Sequence, residues 1–346
     1  MTASKLLRIG YFGSDYFSIN CLKQILPLRF GQPQIISRLD VITRDPKPSG
    51  KGLRHLKDVP VARFAEENQL RVLRAEKEVD FDALLANQYD LCIAVSYGLL
   101  IPASFINSLP FGGLNIHPSL LPKYSGAAPL QRALLNEDST TGVTIQTLHP
   151  TEFDKGDILS RQEYEVRPDE TFESLTKVLS QAGGLLLKNI IEKQMYDRLS
   201  PDYHALKSEL LFSYAKKIQS HERHIDWAHY SSFNLKRRSN TLGPLYTFKR
   251  IHLGKAREET GYRRVVLNDF KESPQQQLPS LLVPGCYDLD LTNPNRLLVK
   301  TVDGTLSVGH LNVEGLGSLT GEKMVRSSKK MFGNIEKRFL RNQNIT

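Results

Sequence analysis

The first half of the sequence alternates short apolar segments with amphipathic ones, and this alternation restricts the possible fold more than any other feature. Five segments have the length and β-branched content of buried strands. Parallel strands need crossover connections, so strands separated by helical segments are typical of an α/β fold with a mainly parallel sheet. The predicted strands are Leu6 to Phe12, Ile35 to Thr43, Asp90 to Ser96, Gly113 to His117 and Gly142 to Leu148.

Helix signals lie between and after these strands. Ser14 and Asp15 can cap a helix that runs to about Leu26, and Pro60 stands at the start of the next one. The longest predicted helix, Thr171 to Lys193, has apolar residues at helical spacing and a Gly183–Gly184 pair that should weaken its middle. The later predicted helices are Val61 to Gln69, Ala128 to Asn136 and Thr171 to Lys193.

The pattern changes after about residue 194. Residues 195–210 contain Pro201 among polar residues and lack periodicity, so they are predicted to be a linker. Short strand-like segments punctuated by Gly and Pro follow, which favours a small, OB-like β-barrel. The sequence therefore predicts a Rossmann-like α/β domain at 1–194 and a β-barrel domain at 211–346. The barrel strands are predicted at Leu245 to Leu253, Arg263 to Leu267, Leu297 to Thr301 and Thr305 to Leu311.

Charge is distributed unevenly between these two parts. Residues 1–200 contain 23 Lys and Arg against 23 Asp and Glu, whereas residues 201–346 contain 23 against 14, so the second part carries the whole net charge of +9. A neutral part joined to a basic part suits an enzyme with a polyanionic partner, although a solvated basic surface explains the charge equally well. No run of about 18 apolar residues is present, so we expect a soluble protein that does not span a membrane.

Two motifs that often indicate ligands are incomplete here. Gly10 and Gly13 follow the first strand, but the third glycine of a dinucleotide fingerprint is missing and Thr43 and Arg44 stand where an acid would be needed. The sequence HERH at 221–224 has no clear third metal ligand, so we expect a solvated helix face there and no metal site. The three widely separated cysteines are expected to be core thiols.

The segment LNIHPSLLPKYSGAAPLQ, residues 114–131, is the most informative one. Its strand breaks at Pro118, so Asn115 and His117 occupy alternate positions near the C-terminal end and face the same side. Ligands of open α/β sheets bind at such strand ends. An amide and an imidazole can both donate hydrogen bonds to a developing oxyanion, which makes this pair a candidate catalytic site, although a single histidine at a strand end is more often structural.

A second candidate segment is TEFDKGDIL at 151–159, which follows the last predicted strand. Asp154 and Asp157 lie in its glycine-containing loop. An aspartate close to His117 would orient the imidazole and assist proton transfer, whereas loop carboxylates are otherwise solvated or cap turns. One such aspartate is enough for this role.

Together these segments resemble the 10-formyltetrahydrofolate-dependent formyltransferases. NIHPSLLP, GAAPLQRALLN, GVTIQ and DKGDIL occur in the order found in that family, and SGAAPLQRAL resembles the members that act on methionyl-tRNA more than those of purine synthesis. The resemblance extends over nearly the whole chain, through IGYFGSDYFS, RDPKPSGKGL and VSYGLLIP to HIDW and DGTLSV. Its motifs are strong at 115–131 and 142–159 and weak beyond 220.

The resemblance implies specific roles for residues of this chain. Asn115, His117 and Asp154 match the catalytic triad of the family, which acts on the formyl-donor cosubstrate 10-formyltetrahydrofolate without a metal. The implied folate contacts are Ser119, Leu120, Leu121 and Pro122 in the turn and Tyr97, Gly98 and Leu99 in the wall of the pterin pocket. The implied contacts to methionyl-initiator tRNA are Arg44, Lys47, Lys51 and Arg54 in a basic loop and Lys216 and Lys217 at the domain junction.

Departures from the bacterial pattern bear on the source of the chain. Lys123, Tyr124 and Ser125 stand where bacterial members have Arg and an aromatic residue before a second Arg, and SNTLGPLYTF replaces FNPWP. These differences favour a fungal-like mitochondrial matrix enzyme, expected to be monomeric, over a bacterial cytoplasmic one. The alternatives are a sugar-nucleotide or purine-precursor formyltransferase, which would use the same triad, and a non-catalytic RNA-binding protein.

Overall fold

A computed structural model describes residues 6–253, 259–273, 283–333 and 335–340 of the chain. The protein forms two compact units, with the division after Lys217, beyond the end of the predicted linker. Within the described residues, none of the helices is both long enough and apolar enough to cross a membrane.

The first unit is built around a seven-stranded sheet whose order is β10-β9-β7-β6-β1-β2-β5. Five neighbouring strands, β7, β6, β1, β2 and β5, run parallel to one another. β9 pairs antiparallel with β7, and β10 pairs antiparallel with β9. The strands are β1 (Leu7–Gly13), β2 (Ile36–Thr43), β3 (Lys47–Ser49), β4 (His55–Lys57), β5 (Val72–Arg74), β6 (Leu91–Val95), β7 (Gly113–His117), β8 (Ser125–Gly126), β9 (Thr140–Thr147), β10 (Ile158–Glu165) and β11 (Tyr214–Ala215).

Six helices cover the two faces of this sheet. Ile9 and Tyr11 of β1 belong to one apolar core, whereas Phe12 belongs to a second core on the opposite face with Phe81 and Phe105. The helices are α1 (Tyr16–Phe30), α2 (Pro60–Glu67), α3 (Glu78–Leu85), α4 (Ala103–Ser108), α5 (Pro129–Leu135) and α6 (Phe172–Glu192). The prediction of a mainly parallel α/β domain is therefore confirmed.

Local sequence explains where the main helices begin. The Asp15 side chain accepts a hydrogen bond from Ser18 N at the start of α1, and Thr171 caps α6 in the same way. The Gly183–Gly184 pair does not interrupt α6. A Cβ at Gly184 would lie 2.9 Å from Cys21 Cα, so the pair permits close packing of α6 on α1.

The connectivity of the sheet places a ligand site at one edge. The chain proceeds outward from β1 to β2 and β5, then returns to the other side of β1 with β6 and β7. The order of the strands reverses between β1 and β6, and the crevice outside the carboxyl ends of strands at such a switch point is where open α/β sheets bind ligands. Residues after β1, β6 and β7 are therefore brought together at this edge.

Two short pairings lie outside the main sheet. β3 and β4 form an antiparallel hairpin across a 3-10 turn at Lys51–Leu53. β11 runs parallel to β8, with Tyr214 opposite Ser125 and Ala215 opposite Gly126. Residues 211–217 thus belong to the first unit, whereas the sequence-based boundary assigns them to the second domain.

The second unit contains an antiparallel sheet in the order β12-β13-β16-β15-β14, with β17 paired to β16. Trp227 and Phe339 stack in its core. The partly closed antiparallel sheet agrees with the predicted small barrel. Its elements are α7 (Ser232–Leu242), β12 (Leu245–Leu253), β13 (Glu259–Glu272), β14 (Tyr287–Leu289), β15 (Leu297–Lys300), β16 (Thr305–Val313), β17 (Gly317–Leu319), α8 (Gly321–Arg326) and α9 (Ser328–Phe332).

Candidate active site

Two strand ends carry the polar side chains predicted to act together. Asn115 and His117 are two residues apart on β7, and Asp154 lies in the loop between β9 and β10. The side chains of His117 and Asp154 are only 7% and 8% exposed. β9 is antiparallel to β7, so β9 ends beside the start of β7 and not beside its C-terminal end. The loop from β9 to β10 must therefore fold back along the sheet to bring Asp154 to Asn115.

The Asp154 carboxylate is the centre of this cluster. Its Oδ1 lies 3.3 Å from His117 Nδ1, 3.4 Å from Asn115 Nδ2 and 3.3 Å from Gln146 Nε2. Its Oδ2 accepts a shorter hydrogen bond of 2.7 Å from Gly126 N. The structure thus brings the amide, the imidazole and the carboxylate together, and it adds a second amide and a backbone N–H.

The hydrogen bond made by Nε2 of His117 fixes the tautomer of the ring. Nε2 lies 2.9 Å from the carbonyl oxygen of Tyr124, and a carbonyl can only accept, so Nε2 carries a proton. Nδ1 is then the ring atom that can exchange a proton with Asp154 or with a bound substrate. Tyr124 has a left-handed backbone with φ of 59°, a conformation that non-glycine residues adopt mainly at turns and functional sites.

The neighbourhood of Tyr124 is tightly bonded. Its N–H donates to Ser213 Oγ at 2.9 Å, and its hydroxyl accepts from Asn136 Nδ2 at 2.9 Å. Burial raises the pKa of Tyr124 to about 12, so the phenol stays protonated at neutral pH. These bonds hold the carbonyl that faces His117.

A cavity of about 620 Å³ opens beside the cluster, within the usual size range of ligand sites. Asn115, His117, Asp154 and Gln146 form its polar side, and Ile101 and Ile106 contribute to its apolar side. The predicted folate contacts Tyr97, Gly98 and Leu99 also line it. Further lining residues that the sequence did not indicate are Asp15, Phe153, Phe212 and Tyr214.

The turn Ser119–Pro122 has a different position. The cavity wall extends along β7 as far as Pro118, whereas Ser119, Leu120 and Leu121 are buried, at 0%, 7% and 1% exposure. Thr144 Oγ1 donates to Ser119 O at 2.6 Å and accepts from Leu121 N at 3.1 Å. These bonds anchor the turn to β9 and so fix the end of the strand that carries His117.

The predicted basic residues fall in two surface regions. Lys47 and Arg54 are exposed on the β3–β4 hairpin, while the half-buried Arg44 lies just before it, with its guanidinium beside Gly98. Lys216 and Lys217 are exposed after β11. The side chain of Lys51 lies outside the described part of the structure.

The HERH segment does not form the predicted solvated helix face. Ser220–Arg223 is a 3-10 turn, and His224 leaves it to become buried between the rings of Tyr246 and Phe248 while His221 stays exposed. The two histidines differ because the chain turns into the core at Ile225. Over the described residues, His, Cys, Asp and Glu form no group of three suited to a metal ion.

Comparison with known proteins gives a consistent result at the level of sequence. Residues 12–191 match the family model described as formyl transferase. The mitochondrial methionyl-tRNA formyltransferase of Saccharomyces cerevisiae is 31% identical, over 94% of this chain and 90% of the relative. The mitochondrial methionyl-tRNA formyltransferase of Homo sapiens is also 31% identical, over 80% of this chain and 68% of the relative.

Solved structures agree in fold. HypX from Aquifex aeolicus in complex with tetrahydrofolic acid has a TM-score of 0.56 at 16% identity, covering 95% of this chain and 48% of HypX. The sugar 3N-formyl transferase WlaRD has a TM-score of 0.51 at 15% identity, covering 88% of this chain and 98% of that one. At such low identity these likenesses concern the fold alone.

Proposed function

This chain belongs to the formyl transferase family, and we propose that Asn115, His117 and Asp154 are the residues with which it performs formyl transfer. It is a transferase of one-carbon groups, a methionyl-tRNA formyltransferase. The observation that carries the assignment of these three residues is the meeting of their side chains within 3.4 Å of one carboxylate oxygen, beside a cavity.

The formyl donor is a formyl-tetrahydrofolate, proposed to be the 10-formyl form. Such a donor is an activated amide, which the free α-amino group of methionyl-tRNA can attack without a covalent intermediate on the enzyme. A cavity of about 620 Å³ with apolar Leu99, Ile101 and Ile106 and a polar edge fits a flat, partly polar ring system. We assign Tyr97, Gly98 and Leu99 to direct contact and Ser119 to Pro122 to holding the strand end behind the site.

Asn115 would donate a hydrogen bond from Nδ2 to the formyl oxygen as negative charge develops on it. The Asn115 amide is suited to this role because its contact with Asp154, at 3.4 Å, is longer than an ordinary hydrogen bond and can be exchanged for one to substrate. Removal of one oxyanion donor typically lowers the rate by on the order of 100- to 1000-fold.

His117 would move the proton. With Nε2 held by Tyr124, Nδ1 receives the proton that the attacking amine loses and returns it to the nitrogen from which the formyl group departs. Asp154 faces Nδ1 and stabilises the charged ring during this exchange. A free α-amino group has a pKa of about 7.7 to 8.0, so a useful fraction is already neutral and nucleophilic near pH 8.

The tRNA would be held by exposed cations around the first unit and by the basic second unit. Lys47 and Arg54 project from the β3–β4 hairpin, and Lys216 and Lys217 lie beyond β11. Such residues contact phosphates, so their contribution should depend strongly on salt. We retain Lys51 in this set on the strength of the resemblance, and place Arg44 nearer the cavity because of its position beside Gly98.

We further propose that the enzyme acts as a monomer in the mitochondrial matrix, on methionyl-initiator tRNA, at the start of organellar translation. The two mitochondrial relatives at 31% identity support this location over the cytoplasm of a bacterium.

The direct test is a formyl-transfer assay with the purified protein, 10-formyltetrahydrofolate and methionyl-tRNA. Free methionine and an amino-sugar nucleotide serve as alternative acceptors. We expect incorporation of the formyl group into methionyl-tRNA alone. Transfer to the sugar nucleotide, or tRNA binding without any transfer, would overturn the proposal.

A further inference from the structure

Gln146 is a buried amide that reaches the same carboxylate from the neighbouring strand. It lies on β9 directly opposite Asn115 in the β7–β9 ladder, and it is only 2% exposed. Side chains directly opposite each other in a ladder share one face of the sheet. Gln146 therefore stands beside Asn115 and lines the cavity with it.

The orientation of the Gln146 amide follows from its partners. Gly156 N–H can only donate, and it lies 3.2 Å from Gln146 Oε1. The opposite end of the amide, Nε2, must then point to Asp154 Oδ1, at 3.3 Å. An N–H directed at a carboxylate oxygen restricts the directions in which the carboxylate can turn.

The loop that carries Asp154 is fastened to β9 at the same place. Asp157 N donates to Thr147 Oγ1 at 2.9 Å, and Thr147 N donates to Asp157 O at 2.9 Å. The approach is so close that a Cβ at Gly156 would lie 1.7 Å from Thr147 O. Gln146 thus connects the backbone of this loop to the one functional side chain that the loop presents.

Asp154 depends on side-chain contacts for its position because its own backbone conformation is not a favoured one. Its φ of 57° lies in the left-handed region, where an aspartate is tolerated but not favoured. Oδ2 is fixed by Gly126 N at 2.7 Å, whereas Oδ1 makes three longer contacts of 3.3 to 3.4 Å with Asn115, His117 and Gln146. Of the three, His117 and Asn115 are proposed to engage substrate during turnover, so Gln146 is the Oδ1 partner that stays in place.

We propose that Gln146 is a positioning residue for this reaction: it holds the Asp154 carboxylate towards His117 and Asn115 by donating a hydrogen bond from Nε2. The inference rests on the proposed roles of Asn115, His117 and Asp154. It extends the site from three side chains to four.

Two substitutions separate this role from simple anchoring of the loop. Gln146→Glu keeps an acceptor for Gly156 N but replaces the donor with a second negative charge beside Asp154. Gln146→Met keeps the approximate volume and loses both hydrogen bonds. We expect kcat to fall about tenfold or more in both, with Gln146→Glu the lower at about pH 8, and Kd for tRNA to stay within about twofold of wild type.

The pH dependence of Gln146→Glu provides a second readout. When protonated, the introduced carboxyl can again donate to Asp154. The ratio of its kcat to that of wild type should therefore rise as the pH is lowered from about 8 to about 6. Gln146→Met has no titratable group and should show a constant ratio.

Gln162→Glu and Gln162→Met are matched controls, since Gln162 is exposed on the adjacent strand β10. They should retain wild-type kcat. Thermal unfolding of all variants establishes that they are folded. If Gln146→Met unfolds, a double-mutant cycle replaces it: in an Asp154→Asn background, Gln146→Glu should cause a much smaller further loss than it does alone.

Two results would overturn the inference. One is a Gln146→Glu variant with kcat at or above that of Gln146→Met, which would mean that only the Gly156 bond matters. The other is full additivity with Asp154→Asn. Failure of the proposed function looks different, because wild-type protein would then transfer no formyl group, or His117→Ala would be as active as wild type.

Discussion

The Nε2 atom of His117 donates a hydrogen bond of 2.9 Å to the backbone carbonyl of Tyr124, so the imidazole ring is oriented by the main chain and not by the side chain of Tyr124. Nδ1 is thereby directed to Asp154, at 3.3 Å. Tyr124 lies in a turn with φ of 59°, and its carbonyl accepts from Nε2. The geometry of this turn therefore decides which nitrogen of the neutral ring carries the proton.

The first prediction concerns two side chains on β7: Asn115, proposed as the oxyanion donor, and His117, proposed as the group that transfers the proton. His117→Ala and Asn115→Ala should each lower kcat by on the order of 100- to 1000-fold, because each removes a group that acts on the formyl transfer step. Thermal unfolding should change little by comparison. Single-turnover formylation of methionyl-tRNA measures the effect, and near-normal rates in both variants would contradict the assignment.

The second prediction distinguishes the two loop aspartates. Asp154→Asn keeps the shape of the side chain but removes the charge facing His117, so kcat should fall by about 100-fold or more. Asp157→Asn is the matched control: Asp157 is exposed and accepts a hydrogen bond from the Tyr203 hydroxyl, away from the cluster. Equal losses in the two variants would show that the choice of Asp154 is wrong.

The third prediction tests the β8–β11 pairing. Gly126 has φ of 120°, and a Cβ there would lie 2.7 Å from Tyr214 Cε2 and 3.0 Å from Ala215 O. Gly126→Ala should destabilise the first unit by about 2 kcal/mol and lower kcat, because Gly126 N donates to Asp154.

Gly243→Ala is the control for backbone strain in this experiment. Gly243 has φ of 77° and ψ of −147° with open space around its added Cβ, so the substitution should cost about 1 to 3 kcal/mol through backbone strain alone and leave kcat unchanged. Denaturant unfolding and turnover are measured on both variants. Unaltered turnover in Gly126→Ala would show that the β8–β11 pairing does not influence the side-chain cluster around Asp154.

The fourth prediction concerns the β3–β4 hairpin. Arg54→Ala and Lys47→Ala should weaken tRNA binding. Each should also reduce the slope of log Kd against log salt concentration by about 1, because each removes one phosphate contact. Lys193→Ala, at the exposed end of α6, should leave the slope unchanged. Filter binding over a range of salt concentrations decides between them, and an unchanged slope would remove the hairpin from the interface.

The fifth prediction follows from His224 in the second unit. Burial lowers the pKa of His224, and Asp226 offsets part of this effect. The unfolded chain, with an ordinary pKa of about 6.5, then binds more protons than the folded one just below that pH. The second unit should therefore lose stability as the pH falls below about 6.5.

His224→Phe tests this linkage, since a phenyl ring can fill the space between Tyr246 and Phe248 without taking up a proton. The variant should unfold with much less dependence on pH in that window. His221→Ala, at an exposed position of the preceding turn, should behave like wild type. Thermal unfolding between about pH 5 and pH 7.5 gives the comparison.

The apolar strands could be predicted from sequence because burial on both faces leaves a strong local signal. The predicted bounds of Gly113 to His117 coincide with β7, and those of Ile35 to Thr43 differ from β2 by one residue. β10 was missed because Arg161, Gln162 and Glu163 give this edge strand a polar sequence. β8 and β11 are two residues each and exist only through their partner, which no local pattern reveals.

The same distinction applies to the active site. The common direction of Asn115 and His117 follows from the two-residue period of a strand, so sequence alone could predict it. Gln146 could not be found in this way, because an amide in a strand has no local signature and its role depends on the β7–β9 register. The carbonyl of Tyr124 acts whatever its side chain is, which leaves no trace in the sequence.

The parallel contact of Tyr214 and Ala215 with Ser125 and Gly126 has a practical consequence for dissecting this protein. A fragment cut at residue 210, the end of the predicted linker, would lose β11, the strand that pairs with β8 directly after Tyr124. We therefore place the C-terminal limit of an independently expressed first unit after Lys217. A shorter fragment should be recovered inactive even if it remains folded.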